Sequence, residues 1–504
     1  MAAVASPPKR ATGSRSALSP QRPHWWLLAG IVLVGAVLRF PTLGEQSFWF
    51  DEATTWQIVA HGLGHVLHQV PQTESTPPLY YVLLWCWSRV FGLSETGLRS
   101  LSAVFGTATI IVMWAIGRRV VSERAGLVAA LLTAANPFLI WYSQEARAYA
   151  LLLLMSAISL LALVRVLSSP SRGRVLAWGV SAALALAAHY YAAVVIVPEA
   201  LWLAVALRRR GVLTLQRIGL GVLPVVIVGA AQLPLMIHQN DGRAGYISTS
   251  GSLPYRVAQL FKQDLIGEGQ PVKGLLTAIC AVAVVIGLGL LLARARRDER
   301  TAALAPLAIG LGGVVVAIVV AKVGTDYFNT RNLLPTWPAL MLVVALGLGA
   351  SGAGRLGAFG AALLVAVGVF CVVNTDTNQH YQRLNWRGAA HALGPATAPR
   401  AIVSDIHSEV PLDPYLRRLA PFPQGGAPLV REVDLVWLQR SSPWGAISPI
   451  TPAPLPGFTL EPTIRTTSYV VVRYRAPTPT PEPYAALSRL YPLPARTLTL
   501  LQRP

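Results

Sequence analysis

The amino-acid sequence predicts an all-α polytopic membrane protein with about 11 transmembrane helices and a small C-terminal extracytoplasmic α/β domain. Of its 504 residues, 53% are hydrophobic and only 13% are charged, and the mean hydropathy is +0.50. Soluble domains carry about 25% charged residues, so an ordinary soluble enzyme is excluded. Long apolar runs recur from residue 24 to residue 374, and each approaches the roughly 20 residues that cross a bilayer.

The apolar runs are interpreted as eleven membrane spans. They cover residues 24–40, 98–117, 125–141, 148–167, 175–189, 190–207, 218–237, 274–293, 302–321, 334–350 and 356–374. The first run follows a basic leader, residues 1–23, and ends in Arg39-Phe40-Pro41. Because a signal peptide would end in small residues at its cleavage site, this run is interpreted as a retained anchor. The apolar stretch 77–93 is shorter than a span and is predicted to be juxtamembrane or re-entrant.

The distribution of charge predicts the orientation of the spans. If residues 1–23 are cytoplasmic, that face carries 19 Lys or Arg and three acidic residues, whereas the opposite face carries 10 of each before the C-terminal region. Lys and Arg concentrate in cytoplasmic loops, so the N-terminus is predicted inside and residues 375–504 outside. The net charge of +20 therefore indicates topology and attraction to anionic membrane lipids, not a nucleic-acid partner.

Residues 375–504 are predicted to form the extracytoplasmic α/β domain. Helix-like NWRGAAHAL and YLRRLA alternate with strand-like AIVSD, VDLVWLQ and TSYVVVRYR, and Pro- and Gly-rich stretches separate them. The membrane part, residues 24–374, has long external loops at 41–97 and 238–273, where function should be sought. Cys86, Cys280 and Cys371 are far apart, so neither a disulfide framework nor a zinc motif is expected.

The sequence FWFDEA places two adjacent acids, Asp51 and Glu52, just beyond the first span. An ionised group at a membrane surface is costly unless it is paired or used. On a helix the two side chains diverge by about 100°, so one of them at most points at a given reacting atom. Asp51 is favoured for that role and Glu52 for support; an acid pair that simply faces water at a helix N-terminus is the alternative.

Two further clusters are predicted on the same face. Glu145 and Arg147 lie in WYSQEARAY between two spans and would neutralise each other in the simplest interpretation. Arg331 lies in TRNLLP at the mouth of a span, with Asp326 as its nearest acid in sequence, and its guanidinium suits a lipid-linked phosphate. A snorkelling arginine is the competing interpretation. The weaker phosphate candidates are loop cations, namely Arg243 and Lys262.

The order of these motifs resembles a known family. FWFDEATT, STPPLYYVLL, FGLSETGLRSLSAVFG, AANPFLIWYSQEARAYALLLL, AAHYYA and TRNLLPTWPAL follow one another as in bacterial family 39 glycosyltransferases of the GT-C superfamily. These are similar to protein O-mannosyltransferases and to the aminoarabinose transferase that acts on lipid A. The resemblance covers about residues 24–350, and YQRLNWRGAAHAL with AIVSD resembles the external domain of some members more weakly.

The resemblance implies an enzyme of the bacterial plasma membrane. It would transfer a hexose or pentose from a polyprenyl-phosphate sugar to a hydroxyl of a lipid, glycan or protein acceptor, with inversion. Asp51 would be the base. The resemblance implies Glu145, Arg147, Tyr149 and Arg331 as substrate-binding residues, and His189 and Tyr80 are further candidates for substrate binding. Ser75-Thr76 stands where some members have a basic residue before PPLYY, so the remaining phosphate cation stays open, and so does a divalent metal.

The nature of the leaving group agrees with this mechanism. Phosphate leaves readily, so a single carboxylate that activates the acceptor is enough, and a glycosidase-like pair of carboxylates is not expected. The chain has no phosphate-binding glycine loop, which argues against a nucleotide-sugar donor. A transporter or lipid flippase is the alternative, but such proteins favour internal repeats, and none is evident. For His189, a packing role is favoured over a ligand role.

A reporter fused after Arg503 tests the predicted topology. Because the basic loops all fall on the opposite face, a reporter that works only outside the cytoplasm is expected to be active there. The same reporter fused after Arg210, in a basic loop, should be inactive. Activity of a strictly cytoplasmic reporter after Arg503 would contradict the eleven-span arrangement.

Overall fold

The structure, a computed structural model, describes residues 24–240, 251–438, 452–491 and 497–504. The predicted leader and the phosphate candidate Arg243 lie outside these residues. Most described helices form a bundle of apolar spans, and the C-terminal residues form one mixed sheet with short helices. The predicted fold class, a polytopic helical protein with a C-terminal α/β domain, is confirmed.

Eight helices in the described part of the chain are long and apolar enough to cross a membrane. They are Glu95–Val120, Tyr149–Ser168, Tyr190–Arg209, Leu215–Gln239, Lys273–Ala293, Arg297–Val323, Thr330–Leu348 and Gly354–Thr377. Two shorter helices, Glu123–Ala135 and Pro137–Ser143, pass the same test together but meet at 60°. Pro137 lacks the N–H that would continue the first helix, so the chain bends there.

Two predicted spans correspond to shorter helices. Trp25–Val37 has 13 residues and Arg172–Ala188 has 17, fewer than the roughly 20 that cross a bilayer along its normal. Helices therefore occupy all eleven predicted apolar runs. Where the helices touch, small residues allow close approach, as is usual for packed membrane helices: a Cβ on Gly347 would collide with the Gly287 carbonyl oxygen.

The loop after the first span folds into three helices. They are Phe50–Val59, Leu63–Thr73 and Leu79–Phe91. The last of these, which holds most of the apolar stretch 77–93, has 13 residues and is too short to span. A further helix, Leu253–Ile266, lies in the second long loop.

The described residues of the C-terminal domain contain seven strands. They are β1 Arg400–Asp405, β2 Leu419–Pro421, β3 Leu429–Leu438, β4 Thr459–Leu460, β5 Ile464–Arg465, β6 Tyr469–Pro481 and β7 Thr497–Gln502. The strand order is β2-β7-β1-β3-β6-β4, with β5 also on β6; β1 and β3 are parallel and the other pairs are antiparallel. The helices are Trp386–Leu393, Glu409–Leu412 and Tyr484–Ser488.

The predicted helix YLRRLA is wrong. Arg418 has a left-handed backbone (φ 55°), which interrupts any helix through residues 415–420. The following residues form the edge strand β2, where Leu419 and Ala420 pair with Gln502 and Leu501 of β7. The pairing requirement of the sheet thus outweighs the helical pattern of this short segment. The other predicted elements, NWRGAAHAL, AIVSD, VDLVWLQ and TSYVVVRYR, overlap the expected helix and strands, with Gln439 of VDLVWLQ outside the described residues.

Candidate active site

A fully buried ion pair fixes the first external loop. Arg99 Nε and Nη2 donate to the two carboxylate oxygens of Glu52 at 2.8 and 2.6 Å, and the Ala146 N–H donates to the same carboxylate at 2.9 Å. The remaining Arg99 N–H groups donate to three backbone carbonyls, those of Leu43, Gln46 and Ser47. Burial raises the pKa of Glu52, but the charge and hydrogen bonds of Arg99 outweigh it and hold this pKa below its ordinary value.

Asp51 and Glu52 point in different directions, as their spacing on a helix predicts. Both lie in the first turn of the helix Phe50–Val59. Glu52 is fully buried, whereas the side chain of Asp51 is 24% exposed and its Oδ2 lies 3.4 Å from Nη1 of Arg331. Of the two acids, Asp51 is therefore the one that a substrate can reach.

Arg331 is held at the start of its span by local structure. It lies in a 3-10 turn, Thr330–Thr336, where the Asn329 side chain accepts a hydrogen bond from the Arg331 N–H at 3.2 Å. Its guanidinium carbon lies 5.8 Å from the centre of the Tyr149 ring, within reach of a cation–π interaction. The side chain is 18% exposed. The charge therefore sits between Tyr149 and Asp51, at the edge of the protein.

Arg331 pairs with an acid that is distant in the sequence. Its partner Asp51 is 280 positions away in the chain, so no local pattern could identify it. Asp326, the nearest acid in sequence, instead pairs with Arg256, which donates to its two carboxylate oxygens at 2.9 and 2.5 Å. A phosphate at Arg331 would therefore replace or share the contact with Asp51.

The predicted neutralisation of Glu145 by Arg147 is wrong. Arg147 donates to both carboxylate oxygens of Glu74, at 2.7 and 2.6 Å. Glu145 instead accepts from Arg383 at 2.9 Å, and the guanidinium of Arg383 stacks 4.1 Å from the ring centre of Trp141. Burial raises the pKa of Glu145, and Arg383 opposes this shift. The two charges of the YSQEARAY turn thus bind separate, distant segments.

Arg147 connects this turn to the helix of Asp51. Its Nη1 also donates to the Asp51 carbonyl at 3.2 Å and to the Thr55 hydroxyl at 3.1 Å. The side chain is only 9% exposed. Arg147 therefore braces the backbone that carries Asp51, and its contact with Glu74 engages both terminal nitrogens of its guanidinium.

Tyr149 and His189 lie beside the Asp51–Arg331 pair, whereas Tyr80 is fully buried. The rings of Tyr149 and His189 are 5.8 Å apart, and His189 Nδ1 accepts from the Tyr191 N–H at 3.1 Å. The Tyr80 and Ser102 hydroxyls share a hydrogen bond of 2.8 Å, which is a packing contact and does not bring Tyr80 to the exposed pair.

Three charged residues of this cluster were not singled out from the sequence. Glu74, Arg99 and Arg383 each lie within or beside a motif that carries the family resemblance, namely STPPLYY, FGLSETGLRS and YQRLNW. The cost of burying charge could have indicated that such partners exist, because an apolar region that contains Glu52, Glu145 and several arginines must pair them. That argument predicts the existence of partners but not their identity.

One intramembrane carboxylate lies outside this cluster. Glu199 is buried in the span Tyr190–Arg209 and accepts hydrogen bonds from the Ser159 hydroxyl at 2.5 Å and from the Trp178 indole at 2.8 Å. The contacts join three helices. Glu199 therefore holds the bundle together, which is a role the sequence did not indicate.

Within the residues that the structure describes, no three His, Cys, Asp or Glu side chains come together as metal ligands. The three cysteines are unpaired, with Cys86 exposed and Cys280 and Cys371 buried.

Residues 75–234 match the dolichyl-phosphate-mannose-protein mannosyltransferase family. The matched stretch contains STPPLYY, the YSQEARAY turn and AAHYYA, so it includes Glu145, Arg147 and His189 but neither Asp51 nor Arg331. No curated protein sequence matches the chain. The resemblance drawn from the motifs is confirmed over this third of the sequence.

Several solved membrane proteins have a partly similar structure. ArnT from Cupriavidus metallidurans bound to undecaprenyl phosphate is 17% identical, with a TM-score of 0.49 over 73% of this chain and 69% of that one. The archaeal oligosaccharyltransferase AglB from Archaeoglobus fulgidus, in complex with an inhibitory peptide and a dolichol-phosphate, is 12% identical, with a TM-score of 0.42 over 73% and 57%. The Pmt1-Pmt2 complex of S. cerevisiae bound to the sugar donor is 16% identical, with a TM-score of 0.34 over 44% and 33%.

The spans and the family match together indicate a multi-pass membrane protein whose residues 75–234 resemble the protein mannosyltransferases of that family. This is the class that the motifs predicted. The family match does not extend to Asp51 or Arg331, because both residues lie outside the matched stretch.

The different burial of the two acids predicts different effects on stability. Glu52→Gln leaves Arg99 buried without its carboxylate, so it is expected to lower the free energy of unfolding by about 3–5 kcal/mol. Asp51→Asn removes only a partly exposed contact and should cost less than about 1 kcal/mol. Unfolding of the two variants in the same detergent measures the difference. Equal losses would show that Glu52 does not anchor the loop.

Proposed function

We propose that this chain transfers a monosaccharide from a polyprenyl-phosphate donor to an acceptor hydroxyl at the outer face of a bacterial cell membrane. The observation that carries the proposal is the Asp51–Arg331 pair. It places a reachable carboxylate and a reachable guanidinium 3.4 Å apart in a site where the other charges are buried in closer pairs. A base and an anion-binding cation at one point are what this reaction requires.

Asp51 acts as the general base in the proposed reaction. Its carboxylate takes the proton of the acceptor hydroxyl while the acceptor oxygen attacks the anomeric carbon of the sugar. The bond from that carbon to the phosphate oxygen breaks at the same time, and the phosphate leaves with the electron pair. Attack opposite the leaving group inverts the anomeric centre. A positioned base contributes about 10²- to 10⁴-fold to the rate.

Arg331 binds the donor phosphate and stabilises the charge that grows on it. Its planar fork can donate two charge-assisted hydrogen bonds to phosphate oxygens. When the donor binds, the phosphate takes over part of the guanidinium that otherwise faces Asp51, which releases the carboxylate toward the acceptor. Fixed cations of this kind act without reorganisation in the transition state. Tyr149, against the guanidinium, limits the directions in which it can turn.

Topology supports the same site. The FWFDEA helix, the YSQEARAY turn and TRNLLP all belong to the face without the excess of basic residues, and a polyprenyl-phosphate sugar presents its head group at the membrane surface. The acceptor is a hydroxyl of a lipid, a glycan or a protein that reaches this face. The imidazole of His189 packs behind Tyr149 and contributes to the shape of the site.

Turnover of a labelled donor tests the proposal. Purified protein in nanodiscs, given polyprenyl-phosphate sugars with a radiolabelled sugar and a membrane extract as acceptor, is expected to form labelled product. Asp51→Asn should lower the rate by at least about 100-fold, because the acceptor proton loses its base. Glu461→Gln neutralises a partly exposed acid of the C-terminal domain that pairs with Arg475 and serves as the control, with a rate near wild type.

Donor binding without transfer by the wild-type chain would contradict an enzymatic role and favour a transporter, a flippase or a binding protein. If Asp51→Asn kept wild-type turnover and a folded Glu52→Gln variant lost it, Glu52 and not Asp51 would be the base.

Binding measurements separate the phosphate contact from the base. Arg331→Ala is expected to weaken binding of polyprenyl phosphate by about 1.5–3 kcal/mol, the value of a charged hydrogen bond. Arg331→Lys keeps the charge but loses the fork, so its loss should be smaller. Asp51→Asn should bind as well as wild type or better, because it removes both a nearby negative charge and a competitor for Arg331.

The control for these measurements is Arg475→Ala, which removes a half-exposed arginine of the C-terminal domain. If Arg331→Ala binds polyprenyl phosphate as tightly as this control, Arg331 is a snorkelling residue. The phosphate contact then belongs to Arg147 or to a loop cation such as Lys262 or Arg243.

A further inference from the structure

The C-terminal domain contacts the chain immediately before the Asp51 helix. Three consecutive residues there, Gln46, Ser47 and Phe48, each form a hydrogen bond with it. The Arg383 N–H donates to Gln46 Oε1 at 2.9 Å, and the Phe48 N–H donates to the Tyr415 hydroxyl at 2.8 Å. The Ser47 hydroxyl donates to the Leu384 carbonyl at 2.7 Å and accepts from the Trp386 N–H at 3.0 Å. The domain thus docks on the loop that leads to the candidate base.

One side chain of the C-terminal region reaches further into the site. The guanidinium of Arg383 passes under Trp141, 4.1 Å from the ring centre, and donates to Glu145 at 2.9 Å. Both charged side chains are at most 5% exposed. Among the described residues, no other ion pair involves Glu145, and its second carboxylate oxygen is buried without a hydrogen-bond partner.

Glu145 begins the turn that supports both acids of FWFDEA. The next residue, Ala146, donates its N–H to Glu52, and the Arg147 N–H donates to the Glu145 carbonyl at 2.8 Å. The Arg147 side chain then reaches the Asp51 carbonyl. A movement of Glu145 would therefore be passed through two peptide units to the backbone that aims the Asp51 carboxylate.

We propose that Arg383 is a positioning residue of the transfer reaction: it holds the Glu145–Arg147 turn and, through it, the catalytic carboxylate, so that the C-terminal domain is part of the catalytic unit. The inference rests on the proposed function of Asp51. Its physical basis is the cost of leaving Glu145 buried without a counter-charge, which the turn would relieve by shifting. Displacement of a reacting group by about 1 Å can lower a rate by about 100-fold.

Arg387 provides a matched control in the same interface. It lies four residues further along, and donates to Glu95 at 3.1 Å and to the backbone carbonyls of Gly44 and Glu45 at 2.9 Å each. It thus docks the domain on the loop without touching the Glu145–Arg147 turn. Arg387→Ala therefore removes a docking contact alone, whereas Arg383→Ala removes a docking contact that also holds the Glu145–Arg147 turn.

The experiment measures steady-state transfer and backbone hydrogen exchange for Arg383→Ala, Arg383→Lys and Arg387→Ala in nanodiscs. Arg383→Ala is expected to lower kcat by about 10- to 100-fold with KM for the donor changed less than about threefold, since Arg331 is not moved. Arg383→Lys keeps the charge opposite Glu145 and should recover part of kcat. Arg387→Ala should stay within about threefold of wild type. Amide exchange at residues 144–148 should rise in Arg383→Ala and not in Arg387→Ala.

A double variant tests whether Arg383 acts through Glu145. In a Glu145→Gln background, Arg383→Ala should lower kcat by less than about threefold, because the charge that it balances is gone. An equal effect of Arg383→Ala in both backgrounds would overturn the inference, and so would a wild-type kcat in Arg383→Ala. If the wild-type chain transfers no sugar, the proposed function fails, and hydrogen exchange alone tests whether Arg383 holds the turn. Unchanged exchange at residues 144–148 in Arg383→Ala then overturns the inference. If the Ala variant does not fold, the same result in Arg383→Lys overturns it.

Discussion

The site depends on the buried ion pair between Glu52 and Arg99. A charge of this kind is stable in an apolar interior only when its partner and its remaining hydrogen bonds are fixed. Arg99 meets that condition by binding Glu52 and three carbonyls of the loop that precedes it. The first turn of the Asp51 helix is thereby immobilised. Since neighbouring side chains on a helix diverge by about 100°, burying Glu52 directs Asp51 toward the surface.

The charged groups around the site fall into two kinds. Three pairs are almost fully buried and close, at 2.6 to 2.9 Å: Glu52–Arg99, Glu74–Arg147 and Glu145–Arg383. The fourth, Asp51–Arg331, is longer, at 3.4 Å, and partly exposed. Buried pairs resist separation, whereas an exposed pair contributes little to stability and exchanges partners easily. The first three pairs therefore fix the backbone of the site, and the fourth pair can separate to contact a phosphate and a hydroxyl.

Local pattern and long-range pairing differ in how well they can be predicted from this sequence. The spans were predictable because a helix that crosses lipid needs a continuous apolar run, and the divergence of Asp51 and Glu52 followed from helix geometry. The partners of Arg331, Glu145 and Arg147 lie 73 to 280 positions away and were either missed or assigned wrongly, since sequence distance was the guide. The helix expected at YLRRLA failed for a related reason, because β7, its sheet partner, comes at the end of the chain.

The most direct measurement is a cryo-electron-microscopy structure of the chain in nanodiscs with a non-transferable polyprenyl-phosphate sugar analogue. The account predicts a phosphate within hydrogen-bond distance of the Arg331 guanidinium and the anomeric carbon facing the Asp51 carboxylate. The pairs of Glu52 with Arg99 and of Glu145 with Arg383 should be unchanged. A phosphate bound elsewhere, with Asp51 and Arg331 still paired and the sugar out of their reach, would contradict it.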